Sequence, residues 1–225
     1  VRFSIVVPTY EYNGLAPKLL DELLNSIKYQ TYNNYEIIIS DHSKTDLVYN
    51  HLKNWTELPI VYYKNKRGVG NSSINMNDGI KISKGEYIKI MHMDDWFCSS
   101  EALNLINDSL INDSDKRWGG LGFNHYYENS GITGRYIMPH IDPHIRTLLG
   151  CPSVSFFIND DNFYDENLII INDSDMHIRL GKKYGEPILI NEYCVTVRIS
   201  ENQVSNQVTN EDHNSEIIYY KNKNF

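Results

Sequence analysis

The densest chemical signal in the chain is the stretch Glu86-Tyr87-Ile88-Lys89-Ile90-Met91-His92-Met93-Asp94-Asp95-Trp96. Its apolar run, Ile88 to Met91, reads as a short buried strand that ends in two adjacent carboxylates. Neighbouring carboxylates repel and must stay hydrated or paired, so packing alone does not account for them. At the C-terminal end of a parallel strand, where open α/β sheets bind ligands, such a carboxylate can hold a divalent cation through oxygen, and the cation can bridge to phosphates. The competing explanation is a pair of solvated loop aspartates capping a helix that begins near Ser99.

The elements needed to aim that pair are legible on either side. Phe3 to Val7 reads as a strand stopped by Pro8, followed by the loop Thr9-Tyr10-Glu11-Tyr12-Asn13-Gly14. Leu15 to Tyr29 carries Leu19, Leu20, Leu23, Leu24 and Ile27 at helical spacing, with Pro17 in the first turn. Tyr35 to Ser40 is a second strand, leading into the polar loop Asp41 to Asp46. Leu47 to Trp55 reads as a helix, Ile60 to Tyr63 as a third strand, and Ser72 to Ser83 as a helix ending at Gly85. Strand–helix alternation four times over argues for an α/β fold with a parallel sheet and covering helices. Right-handed crossovers then bring the Tyr10, Asp41 and Asp94 loops to one rim, where a nucleotide-type ligand is expected.

After Trp96 the texture is mixed. Helices are expected over Glu101 to Ile111, Asp142 to Leu149, Asp173 to Tyr184 and Glu211 to Lys221. Strands are expected over Trp118 to Tyr127, Gly134 to Met138, Ser153 to Ile158, Ile188 to Ile190 and Cys194 to Ile199, with a turn at Glu128-Asn129-Ser130-Gly131. No repeat or linker interrupts the chain. The expected organisation is one unit over residues 1–225, with a nucleotide-binding half to about residue 97 and a mixed half over 98–225.

Composition narrows the function classes. The 225 residues are 41% hydrophobic and 22% charged, ordinary globular values. A formal net charge of -8 argues against a nucleic-acid binder that tracks phosphates. An acidic protein that handles a diphosphate needs a metal to mask the repulsion. No apolar run is long enough to span a membrane. Cys98, Cys151 and Cys194 are odd in number and widely spaced, which points to a reducing, cytoplasmic setting without a zinc site.

Five segments in order resemble the inverting glycosyltransferases of the family 2 type. They are Val6-Val7-Pro8-Thr9-Tyr10; Ile39-Ser40-Asp41-His42-Ser43 with Asp46; Gly79-Ile80 with Lys84-Gly85-Glu86-Tyr87-Ile88; Met91-His92-Met93-Asp94-Asp95; and Asn172-Asp173-Ser174-Asp175 with Arg179-Leu180, followed by Arg198. The resemblance implies a GT-A fold: a Rossmann-like, mostly parallel central sheet with helices on both faces and a mixed C-terminal acceptor half. It implies Mn2+ or Mg2+ as cofactor, a nucleoside diphosphate sugar as donor (UDP- or dTDP-sugars favoured), and a glycan or glycolipid hydroxyl as acceptor. It also implies polysaccharide biosynthesis, at the cytoplasmic face of a membrane where the acceptor is a lipid.

The residue roles follow from the same resemblance. Asp94 is the metal ligand, and His92, Met93, Asp94 and Asp95 meet the donor. Tyr10 stacks on a pyrimidine base with Thr9 and Glu11 lining its pocket, and Asp41 accepts from the base imide. Asn71 and Asn75 sit near ribose or phosphate, or serve as turn and cap residues. Asp173 is the general base, its structural alternative being an N-cap by Asn172 or Asp173 for the helix that reaches Tyr184. Arg198 either reaches the diphosphate or forms a surface ion pair, and Trp96 is expected as a core anchor.

The chain departs from the family pattern at three places. His92 stands where the first metal-motif aspartate is usual, and can hydrogen-bond ribose or phosphate or ligate a metal. Asn75-Met76-Asn77 replaces a segment that usually carries an arginine. Asn172 replaces the acidic neighbour of the base. These departures are what a sugar-nucleotide-binding module without turnover would show, and that is the alternative function. A sugar nucleotidyltransferase fits poorly, because Pro8-Thr9-Tyr10-Glu11 is neither glycine-rich nor basic.

Overall fold

The structure, a computed structural model, describes residues 1–140, 149–201, 203 and 209–224. Its first half alternates β1 (Phe3–Thr9), α1 (Ala16–Lys28), β2 (Tyr35–Asp41), α2 (Leu47–Leu52), β3 (Ile60–Lys64), α3 (Ser72–Ile82) and β4 (Tyr87–Ile90). The second half contains β5 (Trp96–Phe97), α4 (Ala102–Asn112), β6 (Trp118–Tyr127), β7 (Ile132–Ile137), β8 (Ser155–Ile158), α5 (Asn172–Tyr184), β9 (Ile188–Ile199) and α6 (Asn210–Asn224). The helix expected over Asp142 to Leu149 falls on 141–148, outside the described residues.

Among the described residues all nine strands join one sheet, in the order β3-β2-β1-β4-β8-β6-β9-β5, with β7 paired to β6. The β3-β2-β1-β4 half is parallel throughout. Beyond β4 the sheet turns mixed: β8 is antiparallel to both β4 and β6, whereas β9 is parallel to β6. Parallel strands are buried on both faces, and the side chains of β1 divide accordingly. Ile5 and Val7 pack with Leu19, Leu20, Leu23 and Leu24 of α1, whereas Val6 packs with Met76 and Ile80 of α3 and Met176 of α5.

Two glycines bring α3 down onto this sheet. A Cβ on Gly79 would lie 2.5 Å from Val6 Cγ1, and one on Gly85 would lie 2.4 Å from the Ser4 backbone nitrogen. Pro8 does not stop β1, which continues to Thr9 in register with Asp41. Val6 faces β4, accepting from Met91 N–H at 2.9 Å, so Pro8 faces the same way, and β4 has left the ladder after Ile90. The missing proline donor therefore has no partner to lose.

Other expectations need correction. The two strands expected at Ile188–Ile190 and Cys194–Ile199 are one strand, β9, whose pairing with β6 shifts register beside Gly122. The helix expected to reach Trp55 stops at Leu52. Trp96 is not a core anchor: it is half-buried in β5, with the Arg198 guanidinium 5.0 Å from its ring centre.

Candidate active site

The rim at the C-terminal ends of β1, β2 and β4 carries most of the sequence-predicted residues. β1 has β2 on one side and β4 on the other, so the chain reverses its direction of travel across the sheet there, where a crevice opens in such folds. Beyond β4, the Asp95 N–H donates to the His92 carbonyl at 3.1 Å, closing a four-residue turn. That turn brings a ring nitrogen of His92 and carboxylate oxygens of Asp94 and Asp95 within 4.8 Å of one another.

Three hydrogen bonds with two neighbours brace the turn. The His92 N–H donates to Ser153 Oγ at 2.9 Å. The Arg198 N–H donates to Asp95 Oδ1 at 3.0 Å, and Arg198 Nε donates to the Asp94 carbonyl at 3.1 Å. The Arg198 guanidinium also pairs with Glu22 and Glu128 and lies over the rings of Trp96 and Tyr126. Arg198 is therefore neither a surface ion pair nor free for a diphosphate. It is 4% exposed and locks the His92–Asp95 turn to β9. Met93, expected among the donor-binding residues, turns its side chain into the core beneath.

Burial raises the Asp95 carboxyl well above the usual range, and the adjacent Asp94 charge raises it further. Burial pushes the His92 imidazole down. Under the turn sits Lys89, fully buried, whose ammonium donates to the Ile90 carbonyl at 3.0 Å and to the Ser153 carbonyl. Burial lowers it to about 7. Sequence reasoning passed over Lys89, although a lysine inside an apolar strand run is itself a signal of a buried polar contact. Ser153 gave no such signal.

The residues match a divalent cation. His92 Nε2 is buried without a hydrogen-bond partner. Two carboxylates stand beside it, and among the described residues no group donates to the Asp94 side chain. Nitrogen and carboxylate oxygen are the donors that Mn2+ and related ions take.

The nucleotide-side residues are engaged differently. Asp41 is fully buried: Oδ2 accepts from the Tyr62 hydroxyl at 2.7 Å and Lys64 Nζ at 3.2 Å, and Oδ1 from the Ser43 N–H at 2.8 Å. Glu11 accepts from the Thr45 N–H at 3.0 Å and hydroxyl at 2.7 Å, tying the β1 and β2 loops together. The Thr9 carbonyl takes the His42 N–H at 2.8 Å and Asn75 Nδ2 at 3.2 Å, and Asn75 Oδ1 accepts from Ser40. Asn71 caps α3, accepting from the Ile74 N–H at 2.9 Å, and donates to the Glu166 carbonyl at 2.8 Å. Tyr10 is exposed and sets its ring edge-on to Tyr12, 5.1 Å between centres. Burial raises both phenols, and the Asp94 charge raises them further. Sequence reasoning left Tyr12 in the loop without a role.

Asp173 lies in the first turn of α5 and is half-buried. Neither it nor Asn172 caps the helix. The flanking residue is Ile171, and Asn172 Nδ2 donates to Ser73 Oγ at 2.8 Å instead. Asp173 Oδ1 accepts from the Ser174 N–H at 2.6 Å, and burial raises the carboxyl to about 6. The Cys151 thiol is raised by burial first, then by the Asp95 charge, and more weakly by that of Asp173. Charges from both halves of the chain thus act on this partly buried thiol. A cavity of about 580 Å³ beside α3 and α5, lined by Asn77, Lys81, Arg179 and Lys223 among others, includes none of the rim residues.

A parallel nucleotide-type half, a strand-end acidic turn and a mixed second half sharing one sheet define the GT-A class of fold. Residues 4–112 match the family described as Glycosyl transferase family 2, so this part of the chain carries that family's domain. It is 34% identical over 138 residues to the poly(ribitol-phosphate) beta-glucosyltransferase of Bacillus spizizenii, which covers 60% of this chain and 20% of that protein. It superposes on S. aureus TarS 1-349 in complex with UDP-GlcNAc with a TM-score of 0.71 at 16% identity, over 93% of this chain and 62% of that one. A mannosyltransferase from Pyrobaculum calidifontis, in complex with GDP-Man and Mn2+, matches with a TM-score of 0.65 at 14% identity, over 89% and 57% respectively. The chain thus spans about a fifth of the curated relative's length. Among the described residues no helix is long and apolar enough to cross a membrane.

Proposed function

We propose that the chain acts as one GT-A unit, with a donor half over 1–97 and an acceptor half over 98–225. It transfers a sugar from a nucleoside diphosphate sugar to the hydroxyl of a glycan or glycolipid, with inversion at the anomeric carbon. The observation that carries this is the His92–Asp95 turn at the sheet's switch point, where among the described residues no group donates to the Asp94 carboxylate. Asp173, in the first turn of α5, supplies the base from the second half of the chain. In-line displacement requires donor and acceptor to meet between such groups.

In this reaction the acceptor oxygen attacks the anomeric carbon, its proton passes to an Asp173 oxygen, and the nucleoside diphosphate leaves on the opposite face. Asp173, raised to about 6, is largely ionised near neutral pH and ready to accept. Asp94 holds Mn2+ or Mg2+, with Asp95 fixing the turn. When bound, the ion supplies positive charge that stabilises the departing diphosphate. The base lies near Tyr10, and its identity is read in the loop Asp41-His42-Ser43, whose His42 Nε2 and Ser43 Oγ are buried without partners. Thr9, Glu11, Asn71 and Asn75 hold this pocket in shape. UDP- and dTDP-sugars are the favoured donors. The UDP-GlcNAc complex of a fold neighbour and the poly(ribitol-phosphate) acceptor named for the Bacillus relative support a nucleotide-sugar donor and a cell-envelope glycan acceptor.

The test is thermal stabilisation by UDP, dTDP and GDP, with and without Mn2+, since specific binding raises apparent stability by mass action. Cation-dependent stabilisation that disappears in Asp94→Asn is expected. Nucleotide binding with the same Mn2+ dependence in that variant removes Asp94 from the metal site.

A further inference from the structure

We propose that His92 is itself a ligand of the bound cation beside Asp94, and that it makes this site prefer a transition-metal ion such as Mn2+ or Co2+ over Mg2+. This rests on the metal-assisted nucleoside diphosphate site proposed above.

The first observation is position. The His92–Asp95 turn places an imidazole nitrogen within 4.8 Å of carboxylate oxygens of both Asp94 and Asp95, so one ion can touch all three. The second is an unfilled bond. His92 Nε2 is closed off from solvent and meets no donor or acceptor. A buried polar atom without a partner is rare enough to need a ligand or another explanation.

The polar groups that brace the turn are already committed. Ser153 Oγ takes the His92 N–H, Lys89 Nζ donates to the Ile90 and Ser153 carbonyls, and Asp95 Oδ1 holds the Arg198 N–H. The backbone of His92 is pinned at both its N–H and its carbonyl, which fixes the point from which the side chain departs.

The third step is chemical. Mg2+ takes oxygen and water and demands near-octahedral geometry, whereas an imidazole nitrogen adds affinity for first-row transition ions, more for Co2+ than for Mn2+. With histidine in place of an aspartate, the turn also carries one negative charge fewer, which weakens its hold on a hard ion. Both effects move the preference in the same direction.

The experiment measures UDP affinity calorimetrically with Mn2+, Co2+ and Mg2+ for the wild type, His92→Asp and His92→Gln. Metal-free thermal unfolding of each variant confirms that it is folded. Spin-echo modulation from directly bonded nitrogen is recorded on the Mn2+-loaded proteins with UDP. The wild type should show the nitrogen signal and favour Mn2+ over Mg2+. His92→Asp should lose the signal and shrink the preference about tenfold or more, the scale of effect typical for groups that tune a metal site. His92→Gln, which offers oxygen without charge, should also lose the signal.

A nitrogen signal that persists in both variants overturns the assignment. So does a fall in UDP affinity that is equal for all three ions, which would make His92 a ribose or phosphate contact. If no cation improves UDP, dTDP or GDP binding to the wild type, the metal site itself is refuted and the His92 assignment falls with it.

Discussion

Asp41 and Asp94 occupy comparable places, each near the end of a strand on the same rim, and they are in opposite chemical states. Asp41 is closed: three donors from Ser43, Tyr62 and Lys64 fill its oxygens, and solvent does not reach it. Asp94 is open: its carbonyl is held by Arg198, but among the described residues no donor reaches its carboxylate. A strand-end aspartate can thus shape a pocket or act in it, and the number of donors around it distinguishes the two. The closed loop is braced by its own side chains. The open turn is braced from outside by Arg198 and Ser153, through its backbone and the Asp95 carboxylate.

The strongest way to break that contrast is to remove the brace. Arg198→Met keeps the side-chain bulk over Trp96 and Tyr126 but strands Glu22 and Glu128 and frees the Asp94 carbonyl. We expect a loss of stability of about 3 kcal/mol, the low end for a broken buried pair, because both glutamates reach solvent. Mn2+-dependent UDP binding should weaken as well, although Arg198 is not placed on the metal. Urea unfolding and calorimetry check the two effects. Retained binding in the destabilised protein would show that the turn holds its shape without outside bracing.

How much of this was legible in sequence divides along the same line. The parallel half was readable because each strand there is a short apolar run buried on both faces and each helix shows its own stripe, so local pattern and fold agree. The closing bonds of Asp41 were not, since Tyr62 and Lys64 come from the neighbouring strand in register. The brace on the turn was hidden for the same reason, as Arg198 lies 104 residues beyond Asp94. The start of α5 was misjudged because Asn172 and Asp173 are both good capping types. Asn172 turns to Ser73, Asp173 accepts from the Ser174 N–H inside the first turn, and Glu216 of α6 accepts from the Ile169, Ile170 and Ile171 N–H groups ahead of the helix.

Asp173 extends the comparison across the crevice, as a carboxylate with spare accepting capacity whose proposed task is in the transition state. Asp173→Asn retains an oxygen for the Ser174 N–H and should fold. Transfer should fall by about 10²-fold, the usual worth of a general base, with donor affinity unchanged. The pH dependence sharpens this. Burial raises the carboxyl from 3.8 to about 6, so the native state keeps a proton over that window which the unfolded chain has released. The group's contribution to stability is therefore present in full below its unfolded value and is lost as pH rises through about 6. Asparagine cannot ionise, so the variant should gain stability relative to wild type between those values. The acid limb of the wild-type rate profile should lie near 6 and be absent from the variant. Wild-type rates in Asp173→Asn would end its role as base.

A smaller effect is expected on the closed side. Asp41→Ala leaves the Tyr62 hydroxyl, Lys64 and the Ser43 N–H without their acceptor, at a cost of about 1–3 kcal/mol in stability. Nucleotide affinity should drop too, because Ser43 and His42 ride on the same loop. Asp41→Asn separates the causes, since one amide oxygen still serves the Ser43 N–H while the charge facing Lys64 is gone. If both variants unfold with wild-type midpoints, Asp41 is not the closed residue described.

Asn71 gives the smallest and most discriminating expectation. Its carbonyl oxygen caps α3 and its amide nitrogen holds the Glu166 carbonyl, so both polar ends are used inside the protein. Asn71→Ala should cost about 1 kcal/mol, the typical worth of a helix cap. Asn71→Ser keeps a capping oxygen and loses only the bond to Glu166, so it should fall between Ala and wild type. A shaping residue moves stability in that order and leaves UDP affinity where it was. A residue that touches ribose or phosphate does the reverse: both variants then lose affinity together, whatever their order in stability. Chemical unfolding and calorimetry on the two variants decide between these outcomes. The second pattern would mean that Asn71 trades its internal partners for the ligand on binding, so that Asn71 at least belongs with the open side of the rim.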